Sequence, residues 1–257
     1  DLNTWSHATY LLMSAGSLLE LPHNSRTSAQ SSQINKLLDE IPALFGQKRM
    51  MGDPPSVEVW IARKLEAYKF KLERWKKLGW LGLFWNITGR APAHSLQSQI
   101  DRLSAFSPPP RFGPSASAST PSNSPAKSTH NDLETPDEIQ TRELLLGVMY
   151  RSLKSYPISR QFLQSVIDHE KIVEEDKWIV PFAMLELATL ECQEADLEAG
   201  SVEGEGAKKV WKERGKKVDK LLEAMFAHGE YDLKSRLESR AGMLRDQVAE
   251  RRLKLGI

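Results

Sequence analysis

Apolar residues recur at steps of three and four along nearly the whole chain, and that spacing commits it to helices. The segment opened by Asp53-Pro-Pro-Ser56 shows it best, because Ile61, Leu65, Tyr68, Leu72 and Trp75 are separated by 4, 3, 4 and 3 residues and fall on one stripe. A strand needs strict alternation, which never persists for more than a few residues, so no strand is expected. The spacing predicts a first helix over Leu2–Leu21, with Trp5, Tyr10, Leu11, Leu12, Ala15, Leu18 and Leu19 on its apolar face. A second is predicted from Ser31 to Leu38, with Ser32 as N-cap and regularity failing at Pro42 and Gly46. Thr135-Pro-Asp-Glu138 is a full capping box, with an N-cap hydroxyl, proline at the first helical position and glutamate at the third. The helix it opens carries Leu144-Leu-Leu-Gly-Val-Met-Tyr150. A partner from near Ile158 carries Phe162, Leu163, Val166 and Ile167, and together they form a helical hairpin. A second pair is predicted over about Trp178–Leu197 and Glu205–Ala227, divided by the turn-rich run from Ala199 to Gly204. A last helix follows over about Leu233–Leu253, with Leu233, Leu237, Leu244 and Val248 inward.

One stretch breaks the pattern. From Ser107 to His130, Ser and Pro supply 13 of 24 residues, a composition that cannot bury a core. We therefore expect three parts: a helical repeat region over 1–106, a disordered Ser/Pro-rich linker or insertion over 107–134, and helical hairpins with a terminal capping helix over 135–257. The remaining composition is that of a globular chain of 257 residues with 35 Lys+Arg against 34 Asp+Glu. A net charge of +1 excludes a generically basic nucleic-acid binder, and no nucleic-acid partner is expected. No apolar run approaches the ~18 residues of a membrane span. The single Cys192 allows no internal disulfide and points to a reducing compartment. The chain begins at Asp1 with neither an initiator methionine nor a signal-like segment, so a fragment of a longer product is expected.

Paired helices of similar length invite comparison with the tetratricopeptide template, in which Leu-Gly-x2-Tyr precedes Ala-x3-Phe. Leu146-Gly147-x2-Tyr150 matches the first half, and Ser159-x3-Leu163 supplies a small and a large residue at the second. In the next pair Leu187-Ala188-x2-Glu191 is followed late by Ala207-x3-Trp211. Close helix crossings need a small residue and a bulky neighbour to fill the groove. Gly147, Ala188 and Ala207 take the first role, and Tyr150, Leu163 and Trp211 the second.

Four segments carry a more specific likeness. They are Lys36-Leu-Leu-Asp-Glu-Ile-Pro-Ala-Leu44 running on to Trp60-Ile-Ala-Arg-Lys64, the Leu144–Tyr150 run, Trp178-Ile-Val-Pro-Phe-Ala-Met-Leu-Glu-Leu-Ala188, and Tyr231-Asp-Leu-Lys-Ser-Arg236. With these, the chain resembles the carboxy-terminal half of the fungal inclusion body clearance proteins and their animal relatives, the tetratricopeptide repeat protein 39 group. The resemblance implies an all-α fold of stacked antiparallel hairpins wound as a tetratricopeptide-like right-handed superhelix. It also implies a non-enzymatic role in clearing aggregated protein after folding stress, with lipid-droplet proteins as partners. The expected location is the cytoplasm, extending to the nucleus, the lipid droplet and the mitochondrial outer surface.

Residues able to carry chemistry have plainer structural roles beside the chemical ones. Gly204-x-Gly206 follows an acidic helix and lacks a third glycine, so it reads as a turn and not a nucleotide loop. The six histidines never pair at helical spacing, and His169-Glu170 has Val173 where a zinc helix needs a second histidine. Neither a metal nor a cofactor is expected. Cys192, beside Leu190, Glu191 and Glu194, reads as a packing residue whose acidic neighbours oppose thiolate formation. Acid pairs such as Glu174-Glu175 read as solvated. Between Val57 and Gly79, seven basic residues face three acidic ones, with aromatics interleaved. Arg63, Lys64, Lys71, Arg74 and Lys77 are thus candidate contacts to a protein partner or to anionic lipid, against the plainer reading of a solvated helix face. Ser107, Thr120 and Ser124 each precede proline and are candidate phosphorylation sites.

Overall fold

The computed structural model describes residues 7–19, 25–45, 60–62, 88–114, 133, 135–202 and 204–257. They fall into two compact units, Asp1–Trp85 and Asn86–Ile257. Among the described residues there is no β-strand.

In the first unit α1 (His7–Leu19) packs on α2 (Ser28–Phe45). Ala8, Leu12 and Ala15 of α1, and Ile34, Leu38 and Ile41 of α2, are the buried sets, each stepping by four and three. Tyr10, expected on the apolar face, is 54% exposed, since it lies two residues from Leu12 and so on the opposite side of the helix. The start of α2 also differs from expectation. Thr27 Oγ1 accepts from the Gln30 N–H at 3.2 Å, and Gln30 Oε1 accepts from the Thr27 N–H at 2.9 Å. This is a capping box one turn upstream of Ser32. Nor does the helix fail at Pro42. The ring is exposed, and the turn continues to Phe45 at the cost of one backbone N–H bond. Of the stripe through Trp75, only Ile61 lies among the described residues, and it is buried beside Trp60.

The second unit contains α3 (Ala93–Ser104), α4 (Pro136–Ser152), α5 (Tyr156–Asp168), a short 3-10 turn over Glu170–Ile172, α6 (Ile179–Gly200), α7 (Glu205–Ala227) and α8 (Lys234–Leu255). Helix α3 packs on α4. Each later helix packs on the next, and α4 also meets α6 while α6 meets α8. First helices of successive hairpins therefore touch one another, as stacked α-hairpins require. α4 and α6 are buried on every side, with Gln140–Arg151 and Ile179–Ala188 as unbroken buried runs, while α7 and α8 bury only one face. On α8 the buried positions are Leu237, Ala241 and Val248, with Leu233 at its start, and Leu244 is half-buried.

Local signals set these boundaries. Thr135 and Glu138 close the capping box in both directions, at 3.2 and 3.0 Å, with Pro136 at the first position. Thr135→Ala is expected to lower the stability of this unit by about 1 kcal/mol, read as the shift of a urea midpoint at constant slope. The hairpin turn after α4 has the Schellman pattern. Ser155 N–H donates to Tyr150 C=O at 2.9 Å and Lys154 N–H to Arg151 C=O at 2.9 Å, with Lys154 at φ 61°. Gly204, at φ 56°, starts α7 from the turn expected there.

Candidate partner-binding site

The α4–α5 hairpin crosses closely at Gly147. A Cβ at that position would sit 2.8 Å from Leu163 Cδ2 and 3.3 Å from Phe162 Cβ. Ser159 Oγ donates to the Gly147 carbonyl at 2.7 Å, which fixes the distance between the helices. The small and large residues matched to the repeat template thus meet each other. Beside them Tyr150 stacks on Phe162, with centroids 5.7 Å apart and planes within 9°.

Over this platform runs an irregular strap, Phe106–Pro114, formed by the first residues of the Ser/Pro-rich stretch. Phe112 meets Phe162 edge-on at 5.3 Å. Arg142 is 1% exposed and donates through Nη1 to the carbonyls of Phe106, at 3.1 Å, and Pro108. Its Nη2 donates to Glu143 at 3.1 Å. Burial lowers the Arg142 pKa and raises that of Glu143, against their mutual attraction, so desolvation outweighs pairing here. His169 is oriented by its neighbours. Its Nδ1 lies 2.6 Å from the Ser165 carbonyl and so carries the proton, leaving Nε2 to accept from Arg111 Nη1 at 2.6 Å. An open cleft of about 390 Å³ continues past Arg111 and Phe112 along α5, lined by Arg160, Gln161, Gln164 and Asp168.

Asp137, one residue inside the capping box, accepts three backbone N–H groups, from Glu174 (3.2 Å), Glu175 (3.1 Å) and Asp176 (2.7 Å). The Glu174-Glu175 pair thus presents its backbone N–H groups to a buried carboxylate, and both of its residues are exposed. Asp137→Ala is expected to cost about 2–3 kcal/mol and to speed hydrogen exchange at those three amides specifically.

Helix α6 carries the charges that unite the unit. Glu186 accepts from Arg151 of α4 at 2.6 Å and from Arg240 of α8 at 2.8 Å. Burial works to raise its pKa, but the two guanidiniums outweigh it and hold the carboxyl below its usual value. Glu191, one to two turns on, is held low in the same way, against burial, by Arg214 of α7 and Arg160 of α5. Glu194 accepts from the same two arginines, and Glu198 from Arg214.

A second cleft, of about 290 Å³, lies between α6, α7 and α8, walled by Cys192, Trp211, Leu244 and Val248. Its rim charges pair with one another, Arg251 with Asp196 and Lys254 with Glu250, while Arg251 lies over the Trp211 ring at 5.6 Å. Burial, reinforced by Asp196 and Glu191, pushes the Cys192 thiol up to about 12. Glu194, expected among its acidic neighbours, is turned instead toward Arg160 and Arg214.

Of the candidate contact residues, Arg63, Lys64, Lys71, Arg74 and Lys77 lie outside the described residues, as do Thr120 and Ser124. Ser107 is described and exposed, and its carbonyl accepts from Leu133 N–H at 2.7 Å. Among the described residues no group of three or more His, Cys, Asp or Glu is placed to hold a metal. No described helix is long and apolar enough to cross a membrane.

Known proteins extend this reading. The chain is 24% identical over 272 residues to inclusion body clearance protein iml2 of Neosartorya fischeri, covering 92% of this chain and 36% of that protein. It is 23% identical over 265 residues to the same-named protein of Aspergillus terreus, covering 92% and 36%. Against that of Yarrowia lipolytica it is 24% identical over 222 residues, covering 74% and 28%. It thus spans about a third of the length of these relatives. No solved structure matches the chain. The family described as Iml2/Tetratricopeptide repeat protein 39 matches residues 1–153, more than half of the chain and through the capping box and close crossing of α4. The all-α stack is therefore a member of the Iml2/Tetratricopeptide repeat protein 39 family.

Proposed function

We propose that this chain is a non-enzymatic helical-repeat scaffold that holds protein partners during the clearance of inclusion bodies after folding stress, in association with lipid-droplet proteins. The observation that carries this reading is a stack of hairpins, open at its surface clefts, in a chain whose relatives are named for inclusion body clearance. Arginines and carboxylates pair across helices, and the one thiol is held protonated at neutral pH. On this reading the protein acts in the cytoplasm, at or near the lipid-droplet surface. The test uses the full-length protein in stressed cells, with proximity labelling and pulldown. Recovery of lipid-droplet proteins or aggregated protein is expected, and recovery of neither would remove the assignment.

The charge pattern of residues 57–79 supports a second reading, a peripheral lipid-surface contact through Arg63, Lys64, Lys71, Arg74 and Lys77. Flotation with anionic liposomes checks it. Binding that ignores both anionic lipid content and substitution of these residues would rule it out.

A further inference from the structure

We propose that the Phe106–Pro114 strap is a ligand bound in cis. The α4–α5 hairpin beneath it is then a receptor for a proline-rich partner segment carrying an Arg-aromatic-Gly sequence. The inference deepens the scaffold reading and rests on it.

The backbone chemistry carries the argument. Pro108, Pro109 and Pro110 have no N–H, so a segment of this kind offers a receptor only carbonyl oxygens. The hairpin meets it with a donor: Arg142, buried and braced by Glu143, reaches the carbonyls of Phe106 and Pro108. After the prolines comes Arg111, and there the receptor changes to an acceptor, His169 Nε2, which takes the guanidinium at 2.6 Å. A donor to the carbonyls of the proline run and an acceptor for the arginine that ends it thus follow the order of the segment.

Side chains add selectivity. Pro110 is buried, Phe112 sets its edge on Phe162, and the Arg111 guanidinium sits on His169 Nε2. Gly113 has φ 87°, and a Cβ there would lie 3.1 Å from Tyr150 Oη, so a side chain at this place is excluded both by conformation and by contact. A proline-rich segment lying against aromatic rings is a recurrent recognition mode, because the segment loses little entropy on binding.

The strap fills only part of its groove. The cleft beyond Arg111 and Phe112 is open along Gln161, Gln164 and Asp168, so an incoming segment has a place to start before it displaces the strap. A tethered ligand competes at an effective concentration on the order of millimolar, and therefore masks a partner of moderate affinity.

The test is fluorescence polarisation with a labelled nonapeptide, Phe-Ser-Pro-Pro-Pro-Arg-Phe-Gly-Pro, the sequence of residues 106–114, against the whole chain. The Arg111→Ala/Phe112→Ala protein is expected to bind it at least about tenfold more tightly than the wild type, because the internal competitor is weakened. Replacing Arg and Phe in the peptide by Ala should abolish that gain. Equal binding by the wild type and a folded variant, or binding indifferent to the peptide's Arg and Phe, would overturn the proposal. So would a wild-type dimer formed by exchanged straps, seen by light scattering. Should the double variant unfold, Gly113→Ala, which displaces the strap by one methyl group, is measured in its place. Pulldown of lipid-droplet proteins is scored separately, so failure of the peptide exchange and failure of the scaffold reading remain distinct.

Discussion

Glu186→Ala is expected to lower stability by about 3–5 kcal/mol at neutral pH, because it strands Arg151 and Arg240. Arg151 is nearly inaccessible to water, and Glu186 Oε2 is the carboxylate that neutralises it. Arg240 has an easier escape, since it is partly exposed and also lies over the Phe182 ring at 5.1 Å. The charge left behind, and not the lost hydrogen bonds alone, sets the size of the effect. Glu186→Leu combined with Arg151→Met should therefore cost less than about 1.5 kcal/mol, since it removes both buried charges and fills their volume. Urea unfolding of the three proteins decides it. A double variant as damaged as Glu186→Ala would show that the pair contributes through its own attraction and not by avoiding an orphaned charge.

The same site predicts a pH dependence. Glu186 and Glu191 both have folded-state pKa values below their ordinary 4.5, so they bind protons more weakly in the folded chain than in the unfolded one. Their contribution is complete above the unfolded value and is lost as pH falls below it. Acidification from about pH 5 downward should therefore destabilise the wild type more steeply than a Glu186 variant. Parallel acid limbs would mean that Glu186 is not held low.

Signals that act within one turn were legible in the residues. Thr135 and Glu138 announce a helix start without tertiary help, and α7 runs over the Glu205–Ala227 span that its spacing indicates. Gly147 with Leu163 was legible too, because a close crossing leaves a small residue beside a large one. Partners supplied from elsewhere in the chain were not. Nothing in the sequence marks Arg142 and Glu143 as buried, and only the strap and the neighbouring helices show why they are. The strap itself lies in a stretch whose composition says linker, yet its three prolines and Arg-Phe-Gly match a receiving surface more than thirty residues away. Lys154 ends α4 in a left-handed conformation usually given to glycine, so composition offered no cue. A finer reading had one usable signal: Glu191, Glu194 and Glu198 step by three and four, which places three carboxylates on one face of α6 toward Arg214.

Gly147→Val is expected to be as damaging as the loss of Glu186, for an opposite reason. Nothing is left unpaired; there is no room. The first added atom already falls 2.8 Å from Leu163 Cδ2 and 2.9 Å from its Cγ, and both Leu163 and Phe162 are fully buried. The hairpin cannot open to accommodate it without breaking the Ser159–Gly147 hydrogen bond or separating Tyr150 from Phe162. Glycine in a helix interior is disfavoured by about 1 kcal/mol relative to alanine, so Gly147→Ala sets a gain in propensity against a clash. Overpacking of a close core costs about 1–3 kcal/mol, and two contacts under 3.0 Å put Ala at about 2–3 kcal/mol, a net loss of about 1–2 kcal/mol, while the two further methyl groups of Val carry it past that range, to about 3–4 kcal/mol. Leu163→Ala removes the atoms that clash, so adding it to Gly147→Ala should restore part of the loss. A coupling above about 1 kcal/mol in the double-mutant cycle is the signature. Gly147→Ala as stable as the wild type, or additive with Leu163→Ala, would show that α4 and α5 do not cross at this distance, and the repeat packing built on that crossing would fall with it.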